Sequence, residues 1–232
     1  MSRVSFSANP QQESLYRKAL LRERAWFVCT SMTAYLPTPK DTVSACDDGR
    51  FRENVMGLQQ AWRRIEVPFF RQAKLLHHAK VHPTYRCHVS VFGPEGKYRR
   101  PNQLFLRLRT SRDKRLATEA LAHELVHLFL AEFCAAKRCS YAEREGLVDA
   151  ILASALFRQF FPQYRIQSVG RVPYRLLPTV LSPVIRQEQS KSARNPVVTI
   201  KKTVAQEQVK PAATDIPHES EKEPAKLAKR ST

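Results

Sequence analysis

The chain of 232 residues has room for one domain of fair size with extensions, and a hydrophobic content of 43% is adequate for a core. Its five cysteines are an odd number without the paired spacing of a structural zinc site, so free thiols in a reducing compartment are the simplest interpretation. The N-terminus has no signal-peptide pattern and no apolar run reaches about 18 residues, which excludes a membrane span and predicts a cytoplasmic protein.

The formal net charge of +18 is large. From Ser182 onward there are 10 Lys and Arg against 6 Asp and Glu, which leaves +14 for residues 1–181. Such a positive field favours anionic partners, above all nucleic acid, through neutralisation of phosphates. An inert basic surface explains the same composition, because no recognised nucleic-acid-binding motif accompanies the charge. A nucleic-acid-associated protein with a structural or degenerate zinc site is therefore kept as an alternative function.

Residues 1–75 are predicted to form an N-terminal helical region. Helical periodicity runs from Gln11 to about Tyr35. The stretch Pro37–Gly49 has the composition of a loop or turn. A second helix is predicted from Glu53 to Arg64, ending before Pro68.

The next region, residues 76–188, is predicted to hold the core domain and a C-terminal wrap. Tyr85 to Phe92 has strand composition, and Gly93–Gly96 is a turn signal. From Leu104 to Arg109 leucine recurs at every second position, which predicts a further strand. Four histidines in or near these strands fit no standard set of metal ligands and are interpreted as surface residues, namely His77, His78, His82 and His88.

Two helices are predicted after the strands. Asp113 to about Ala136 is apolar nearly all round, which predicts a helix buried on several sides. Ala142 to Phe161 is predicted as the next helix, ended by Pro162. We expect residues 165–185 to wrap over the domain. Residues 189–232 have few aromatic residues and many Lys, Glu, Pro and Thr, so they are predicted to be a disordered basic tail.

The most informative pattern is the pentad His-Glu-Leu-Val-His at residues 123–127. Residues four apart on a helix lie about 5–6 Å apart on one face, so the imidazoles of His123 and His127 can reach one metal ion. Glu124 can lean over that metal, where a general base for metal-bound water must be. A buried helix with polar residues at this spacing by chance is the alternative interpretation. The residues that follow the pentad decide between the two.

A tetrahedral catalytic zinc needs a third protein ligand. The metzincin extension is absent, because Leu130 and Phe133 occupy the positions that should be Gly and His. Glu145 is favoured, because Asp149 follows it four residues later on the same helical face and could orient a ligand histidine. An exposed helix start with acidic residues near the positive end of its dipole is the alternative. The candidates downstream of the pentad are Glu132, Cys139, Glu143, Glu145 and Asp149, with Glu143 as the main rival of Glu145.

With these two motifs the chain resembles the gluzincins, zinc peptidases whose HExxH helix is followed by a helix that carries a ligand Glu. The thermolysin-like pattern of a ligand Glu with Asp four residues later is matched by Glu145 and Asp149. The segment Glu143–Gly146 is also similar to the glutamate motif of small bacterial ImmA/IrrE-type metallopeptidases. The resemblance covers roughly residues 85 to 165.

The resemblance implies a zinc-dependent endopeptidase that hydrolyses protein or peptide substrates with metal-activated water. It implies that Zn²⁺ is bound by His123, His127 and Glu145, that Glu124 is the general base, and that Asp149 is a partner of His123. The expected fold class is α+β. It is a minimal zincin-like domain, in which a small antiparallel or mixed sheet packs on the HExxH helix and on the following Glu-ligand helix. Extra N-terminal helices and the disordered C-terminal tail complete the expected architecture.

Overall fold

A mixed sheet of four strands, with helices packed on it, organises the part of the chain that the computed structural model describes. The described residues are 2–29, 34–38, 48–109, 114–166 and 175–181. All of them lie within one compact unit, Met1–Asn195. In chain order the elements are β1 (Arg3–Ser7), α1 (Pro10–Arg22), α2 (Arg24–Cys29), β2 (Ala34–Tyr35), α3 (Gly49–Ala73), β3 (Thr84–Ser90), β4 (Gly93–Pro94), β5 (Gly96–Arg99), β6 (Gln103–Arg107), α4 (Lys114–Ala136), α5 (Tyr141–Leu152), α6 (Ala155–Arg158) and α7 (Leu177–Val180).

The strand order in the sheet is β1-β3-β6-β5. β3 is parallel to both β1 and β6, whereas β5 and β6 form an antiparallel pair. The short strands β2 and β4 form a separate antiparallel pair. These elements confirm an α+β fold with a small mixed sheet and several helices. The finer zincin-like arrangement stays a prediction.

Of the two central strands, β3 is buried on both faces from Cys87 to Ser90, whereas β6 shows the predicted alternation of buried residues. Because side chains alternate between the two faces of a strand, such a pattern gives the sheet one apolar inner face and one more polar outer face. The helix α4 packs against β5 and β6, next to this inner face. The apolar residues of the inner face are Tyr85, Cys87 and Val89 in β3, and Leu104, Leu106 and Leu108 along and just after β6.

The sequence does not predict β1, which pairs in parallel with β3 at one edge of the sheet. Its alternation of Val4 and Phe6 with polar residues covers only five positions, and nothing in so short a pattern points to a partner strand about 80 residues away. The backbone N–H of Val4 donates to Oε1 of Glu66 on α3, at 2.6 Å. The beginning of the chain is thereby joined both to the sheet and to α3.

The single helix predicted from Gln11 to about Tyr35 is wrong, because the chain forms α1, α2 and β2 instead. Glu23 lies at the break between the two helices, and its backbone N–H still bonds to the carbonyl of Ala19, at 3.0 Å. Its side chain lies 2.5 Å from Nζ of Lys97 on β5. Apolar residues recur with helical spacing on both sides of this turn, so periodicity alone does not register the break.

The helix α3 is longer than the predicted segment Glu53–Arg64, since it continues through Pro68. A proline inside a helix lacks one N–H donor and costs about 3 kcal/mol. Phe69 and Phe70, which follow it in the helix, are both buried. Burying a phenylalanine side chain contributes about 1.5–3 kcal/mol, so these two aromatic residues offset the cost of the proline. Packing against the core therefore decides where α3 ends.

The helix predicted from Asp113 to about Ala136 is confirmed as α4, Lys114–Ala136. Every residue from 117 to 131 is buried, because α4 packs against α3, α5, β5 and β6. Four of these buried residues carry ionisable side chains, namely Glu119, His123, Glu124 and His127. Burying such groups is costly unless each finds a partner, so the middle of α4 needs a polar network.

The single helix predicted from Ala142 to Phe161 is also wrong, because α5 stops at Leu152 and the short helix α6 follows. Ser154 lies at the break with an extended backbone. Its hydroxyl donates to the carbonyl of Ile151 at 2.6 Å, a local bond that competes with continued helix.

The prediction of surface histidines is confirmed for His77 and His78 and is wrong for His88. His88 lies in β3 with only 7% of its surface exposed. Its Nε2 is 3.3 Å from Oε2 of Glu13, a buried residue of α1. The other carboxylate oxygen of Glu13 accepts a hydrogen bond from the hydroxyl of Ser90, at 2.9 Å. α1 covers this part of the outer sheet face, which the sequence did not predict.

A later part of the chain returns to the core, where the backbone N–H of His77 donates to the carbonyl of Val180 at 2.6 Å. The predicted wrap of residues 165–185 lies only partly within the described residues, and the predicted disordered tail lies wholly outside them. The division of the chain at residue 75 stays a prediction, although β1 and α3 belong to the same sheet and core as the later elements.

Among the described residues, no helix has both the length and the apolar character needed to cross a membrane.

Candidate metal centre

A capping box fixes where α5 begins. The hydroxyl of Ser140 accepts a hydrogen bond from the backbone N–H of Glu143 at 3.2 Å, and Oε2 of Glu143 accepts one from the backbone N–H of Ser140 at 2.9 Å. The bond from Ser140, together with the ion pair to Arg175, holds the pKa of Glu143 below its ordinary value. Glu143 is thereby engaged at the helix start, while Glu145 lies beside the histidines of α4.

The side chains of His123, His127 and Glu145 converge at one point between α4 and α5. Nε2 of His123 lies 3.0 Å from Nε2 of His127 and 3.1 Å from Oε2 of Glu145. Nε2 of His127 lies 3.3 Å from Oε1 of the same carboxylate. Ligand atoms bound tetrahedrally at zinc–nitrogen distances of about 2.0–2.1 Å are separated by about 3.3 Å, close to the spacing in this cluster. The three side chains therefore fit a small divalent cation.

The electrostatics of the cluster favour a positive charge between these groups. Burial lowers the pKa of His123, but the hydrogen bond to Glu145 and the neighbouring carboxylates raise it by more, so the net shift is upward. Burial also raises the pKa of Glu145, but hydrogen bonds with His123 and His127 outweigh burial and hold that pKa well below its ordinary value. A proton on the histidines or a bound cation would each satisfy the carboxylate.

The carboxyl of Glu124 is buried beside this cluster, against Gly96 of β5. A Cβ atom placed on Gly96 would lie 2.6 Å from Oε1 and 2.8 Å from Cγ of Glu124, so only a residue without a side chain fits there. Burial raises the pKa of Glu124, while charge on the two histidines opposes that rise. The structure thus gives the predicted general base a fixed position and an elevated proton affinity.

A third polar residue joins Asp149 to His123. Oδ1 of Asp149 lies 3.6 Å from Nδ1 of His123, within ion-pair distance but beyond a hydrogen bond. The hydroxyl of Tyr164 lies 2.9 Å from that nitrogen and donates to Oδ1 of Asp149 at 2.7 Å. Burial raises the pKa of Tyr164, so its hydroxyl stays protonated as a donor. Asp149 is therefore linked to His123 through the hydroxyl of Tyr164, in addition to its own approach to Nδ1.

The sequence interpretation did not identify Tyr164, Tyr98 or Gly96 as parts of the site. Tyr98 of β5 stacks on the ring of His127, with centroids 5.0 Å apart and planes inclined by 19°. Tyr164 lies beyond the break at Ser154, between the predicted end of the helix at Phe161 and the predicted wrap of residues 165–185. None of the three residues has a fixed spacing from the pentad. The sequence marked only Gly96, as part of a predicted turn, and gave no indication that it belongs to the site.

The remaining candidates for a third ligand lie apart from the cluster. Glu132 is exposed and pairs with Nζ of Lys80 at 2.8 Å. Cys139 is a free thiol near Cys134, at the end of α4. Within the part of the chain that the structure describes, the one group of three or more such side chains able to hold a metal ion is His123, His127 and Glu145.

No protein-family model matches the sequence, and no curated protein and no solved structure matches it. The functional interpretation therefore rests on the residues of the site and on their geometry. The pentad on α4, the carboxylate of α5 and the side chains that pack around them carry all of it.

Proposed function

We propose that the protein is a zinc-dependent endopeptidase of the gluzincin type, with the zincin-like arrangement expected from its sequence. The observation that carries the proposal is the convergence of ring nitrogens of His123 and His127 with the carboxylate of Glu145, all within 4.8 Å of one another. Two imidazoles and one carboxylate are a donor set that suits zinc. Three protein ligands leave the fourth position of a tetrahedral site for water or substrate.

Glu124 is the proposed general base. A bound Zn²⁺ would supply Lewis-acid chemistry, polarising the scissile carbonyl and lowering the pKa of coordinated water toward about 7. Glu124 takes the proton from the attacking water and passes it to the leaving amine. Burial raises the pKa of Glu124, so its carboxyl can hold the proton between the two transfers. Peptide hydrolysis by this route needs no Ser or Cys nucleophile.

Tyr164 and Asp149 orient the first histidine in this proposal. With Nε2 of His123 facing His127 and Glu145, its Nδ1 carries the proton and donates to the hydroxyl of Tyr164. That hydroxyl donates in turn to Asp149. Such a chain fixes the tautomer and ring orientation of a metal-binding histidine and increases its basicity.

The strand β5 supports a peptide as the substrate class. β5 is an edge strand of the sheet, and two of its residues touch the site, since Gly96 packs on Glu124 and Tyr98 stacks on His127. An extended peptide that adds to a sheet edge is held by main-chain hydrogen bonds with little dependence on its sequence. A chain that pairs with β5 would bring its backbone carbonyls next to the general base.

The test is metal-dependent cleavage of a peptide library by purified protein, with two glutamate variants of the same helix. Glu124→Gln removes the base, and Glu132→Gln is the matched control, because Glu132 is exposed on α4 and pairs only with Lys80 among the described contacts. We expect the wild-type protein and the control variant to cleave, and Glu124→Gln to bind zinc without cleaving. Cleavage by Glu124→Gln at the wild-type rate would remove Glu124 from the mechanism.

A second candidate function, nucleic-acid binding, is favoured by the outer face of the sheet. Arg86 of β3 and Arg99 of β5 lie in one row across the strands. A cavity of about 610 Å³ separates this row from α1, and none of the residues that line it is acidic. Arginines along a groove without acidic lining residues attract the phosphates of a nucleic acid, and the two functions can coexist.

This second function predicts a steep dependence of binding on salt. For a single strand, log K should fall linearly with log salt, by a slope of about 0.7 for each phosphate contact. The double variant Arg86→Gln/Arg99→Gln should reduce that slope and weaken binding. Arg63→Gln/Arg64→Gln, which removes the same charge from exposed positions of α3, should leave the slope nearly unchanged. Equal effects of the two double variants would assign the binding to net charge rather than to the sheet.

A further inference from the structure

A small cavity lies beside His127, on the side of the metal cluster where α4 ends and α5 begins. Its volume is about 120 Å³, and the ring of His127 forms part of its wall together with Tyr98. Liquid water occupies about 30 Å³ per molecule, so the cavity has room for about four waters or for a carboxyl group with one or two methylenes. A group bound in it would lie next to a proposed metal ligand.

The cavity is lined by three arginines, Arg100, Arg138 and Arg144, and none of its lining residues is acidic. The thiol of Cys134 also lines it, and burial raises the pKa of that thiol to about 12, so it adds no negative charge near neutral pH. No acidic residue of the lining neutralises these arginines, and the one further partner described for the guanidinium of Arg144 is the ring of Tyr141, 5.9 Å away. An anion is the ligand that such a lining favours.

The contacts of two of these arginines also support an anion-binding site. Arg100 is held in place by a hydrogen bond from its Nη2 to the carbonyl of Ala131, at 2.7 Å. Nε of Arg144 is buried and makes no hydrogen bond. A buried donor without a partner is costly, and natural structures rarely retain one unless a ligand or water completes it. Arg144 follows the capping box of α5 and directly precedes Glu145, so its backbone is fixed with the site.

We propose that this cavity is a substrate subsite that binds a carboxylate of the peptide close to the scissile bond. The inference rests on the proposed peptidase function and deepens it by naming a class of substrate. The carboxylate can come from an acidic side chain or from the free C-terminus of the peptide. Both present the same planar anion, which two N–H groups of a guanidinium bind in parallel.

The test compares peptides that differ in a single charge. Each pair carries Glu or Gln at one position, scanned across the cleaved sequence, and each peptide is made with a free and with an amidated C-terminus. Hydrogen bonds to charged groups contribute about 1.5–3 kcal/mol, so the preferred member of a pair should have a kcat/KM about 10–100-fold higher. A preference for Glu at one position identifies a side-chain carboxylate, and a preference for the free terminus identifies the C-terminal carboxylate.

Variants of the residues that line the cavity test whether the preference for a charged peptide arises there. Arg144→Gln should reduce the ratio between charged and neutral peptides about 10-fold or more. Arg138→Asn should also reduce it, and it preserves the backbone, because Arg138 has φ 52° and Asn tolerates this left-handed conformation. Lys137→Gln is the matched control, since Lys137 is an exposed neighbour that does not line the cavity. A loss of preference in the control equal to that in Arg144→Gln would assign it to general charge and overturn the subsite.

A binding measurement separates failure of the subsite from failure of the peptidase. Titration calorimetry of Glu124→Gln with a matched pair of Glu and Gln peptides needs no turnover. Tighter binding of the Glu peptide, lost in the double variant Glu124→Gln/Arg144→Gln, supports the subsite even where no peptide is cleaved. Cleavage of peptides without any charge preference, together with equal binding of both peptides, would overturn the subsite and leave the peptidase proposal standing.

Discussion

In the part of the chain that the structure describes, two buried clusters of histidine and carboxylate lie on opposite faces of the sheet, and they differ in ways that bear on metal binding. On the outer side, His88 pairs with Glu13, and the second oxygen of Glu13 is taken by Ser90. On the inner side, His123 and His127 meet Glu145 with ligand atoms 3.0–3.3 Å apart, close to the edge of a tetrahedral zinc site. Burial of a histidine beside a carboxylate is common to both clusters.

The clusters differ in the number of donors and in what supports them. The ring of His88 lies edge-on to Tyr16 and Phe105, so aromatic rings rather than a third ligand surround it. The ring of His123 has Tyr164 behind it, and Tyr164 is bound to Asp149. The inner cluster thus has a third donor and a histidine ring held in one orientation, and these two features distinguish a candidate metal centre from a buried ion pair.

The largest predicted difference between the two clusters concerns zinc affinity. Glu145→Ala should abolish tight zinc binding, because two histidines alone leave an underfilled site. Glu13→Ala should leave zinc binding intact and lower the melting temperature, since it strands buried His88 and Ser90 without their partner. Zinc titration against a competing chelator and thermal unfolding measure the two effects. Loss of zinc binding in Glu13→Ala alone would reverse the roles assigned to the clusters.

The next largest effect is predicted at Gly96. Gly96→Ala should lower kcat about 100-fold, because the new methyl group would displace the carboxyl of Glu124 and a shift of about 1 Å is enough for such a loss. Zinc affinity should not change, since Gly96 touches none of the three ligands in the contacts described. Gly49→Ala is the control, because a Cβ at Gly49 meets no atom within 4 Å. A normal kcat in Gly96→Ala would show that the position of Glu124 does not limit the reaction.

A smaller effect is predicted for the support of His123. Tyr164→Phe should weaken zinc binding about 10-fold, at the low end of the losses known for residues that orient metal ligands. Asp149→Ala should weaken it by about 10–100-fold, because Asp149 anchors the hydroxyl of Tyr164. Tyr35→Phe, which removes an exposed hydroxyl on β2 and keeps the ring, provides the control. Zinc affinity unchanged in both Tyr164→Phe and Asp149→Ala would show that this chain does not orient the ligand.

The smallest effect is predicted for Glu143. Glu143→Ala should change zinc affinity little, because its carboxylate caps α5 and pairs with Arg175 away from the histidines. A modest fall in melting temperature should accompany the loss of the capping box. Chelator competition on this variant measures the zinc affinity. A weaker zinc affinity than that of Glu145→Ala would mean that α5 is rotated relative to α4 and that the Glu–Asp pattern was misassigned.

The parts of the site that could be predicted from the sequence are those whose geometry is local. Residues four apart on a helix share a face whatever surrounds them, so His123 with His127, and Glu145 with Asp149, could be named as candidates from their spacing, while Glu143 stayed open as the rival of Glu145. The start of α5 was predicted within one residue, at Ala142, although the prediction did not use the local capping box of Ser140 and Glu143 that fixes it.

The parts that could not be predicted depend on contacts between distant segments. β1 is recognisable as a strand only beside β3, about 80 residues away. The continuation of α3 through Pro68 depends on the burial of Phe69 and Phe70. Tyr164 reaches His123 from 41 residues further along the chain. Tertiary packing decides each of these features, and no pattern of spacing in the sequence records it.

The most direct test of the central claim is elemental analysis of the full-length protein purified without added metal, combined with zinc titration of the metal-free protein. We predict one zinc per chain, bound tightly enough to survive purification or restored by one equivalent of added zinc, and absent in Glu145→Ala. A wild-type protein that neither contains zinc nor takes up one equivalent would contradict the account. It would leave His123, His127 and Glu145 as a buried ion-pair cluster.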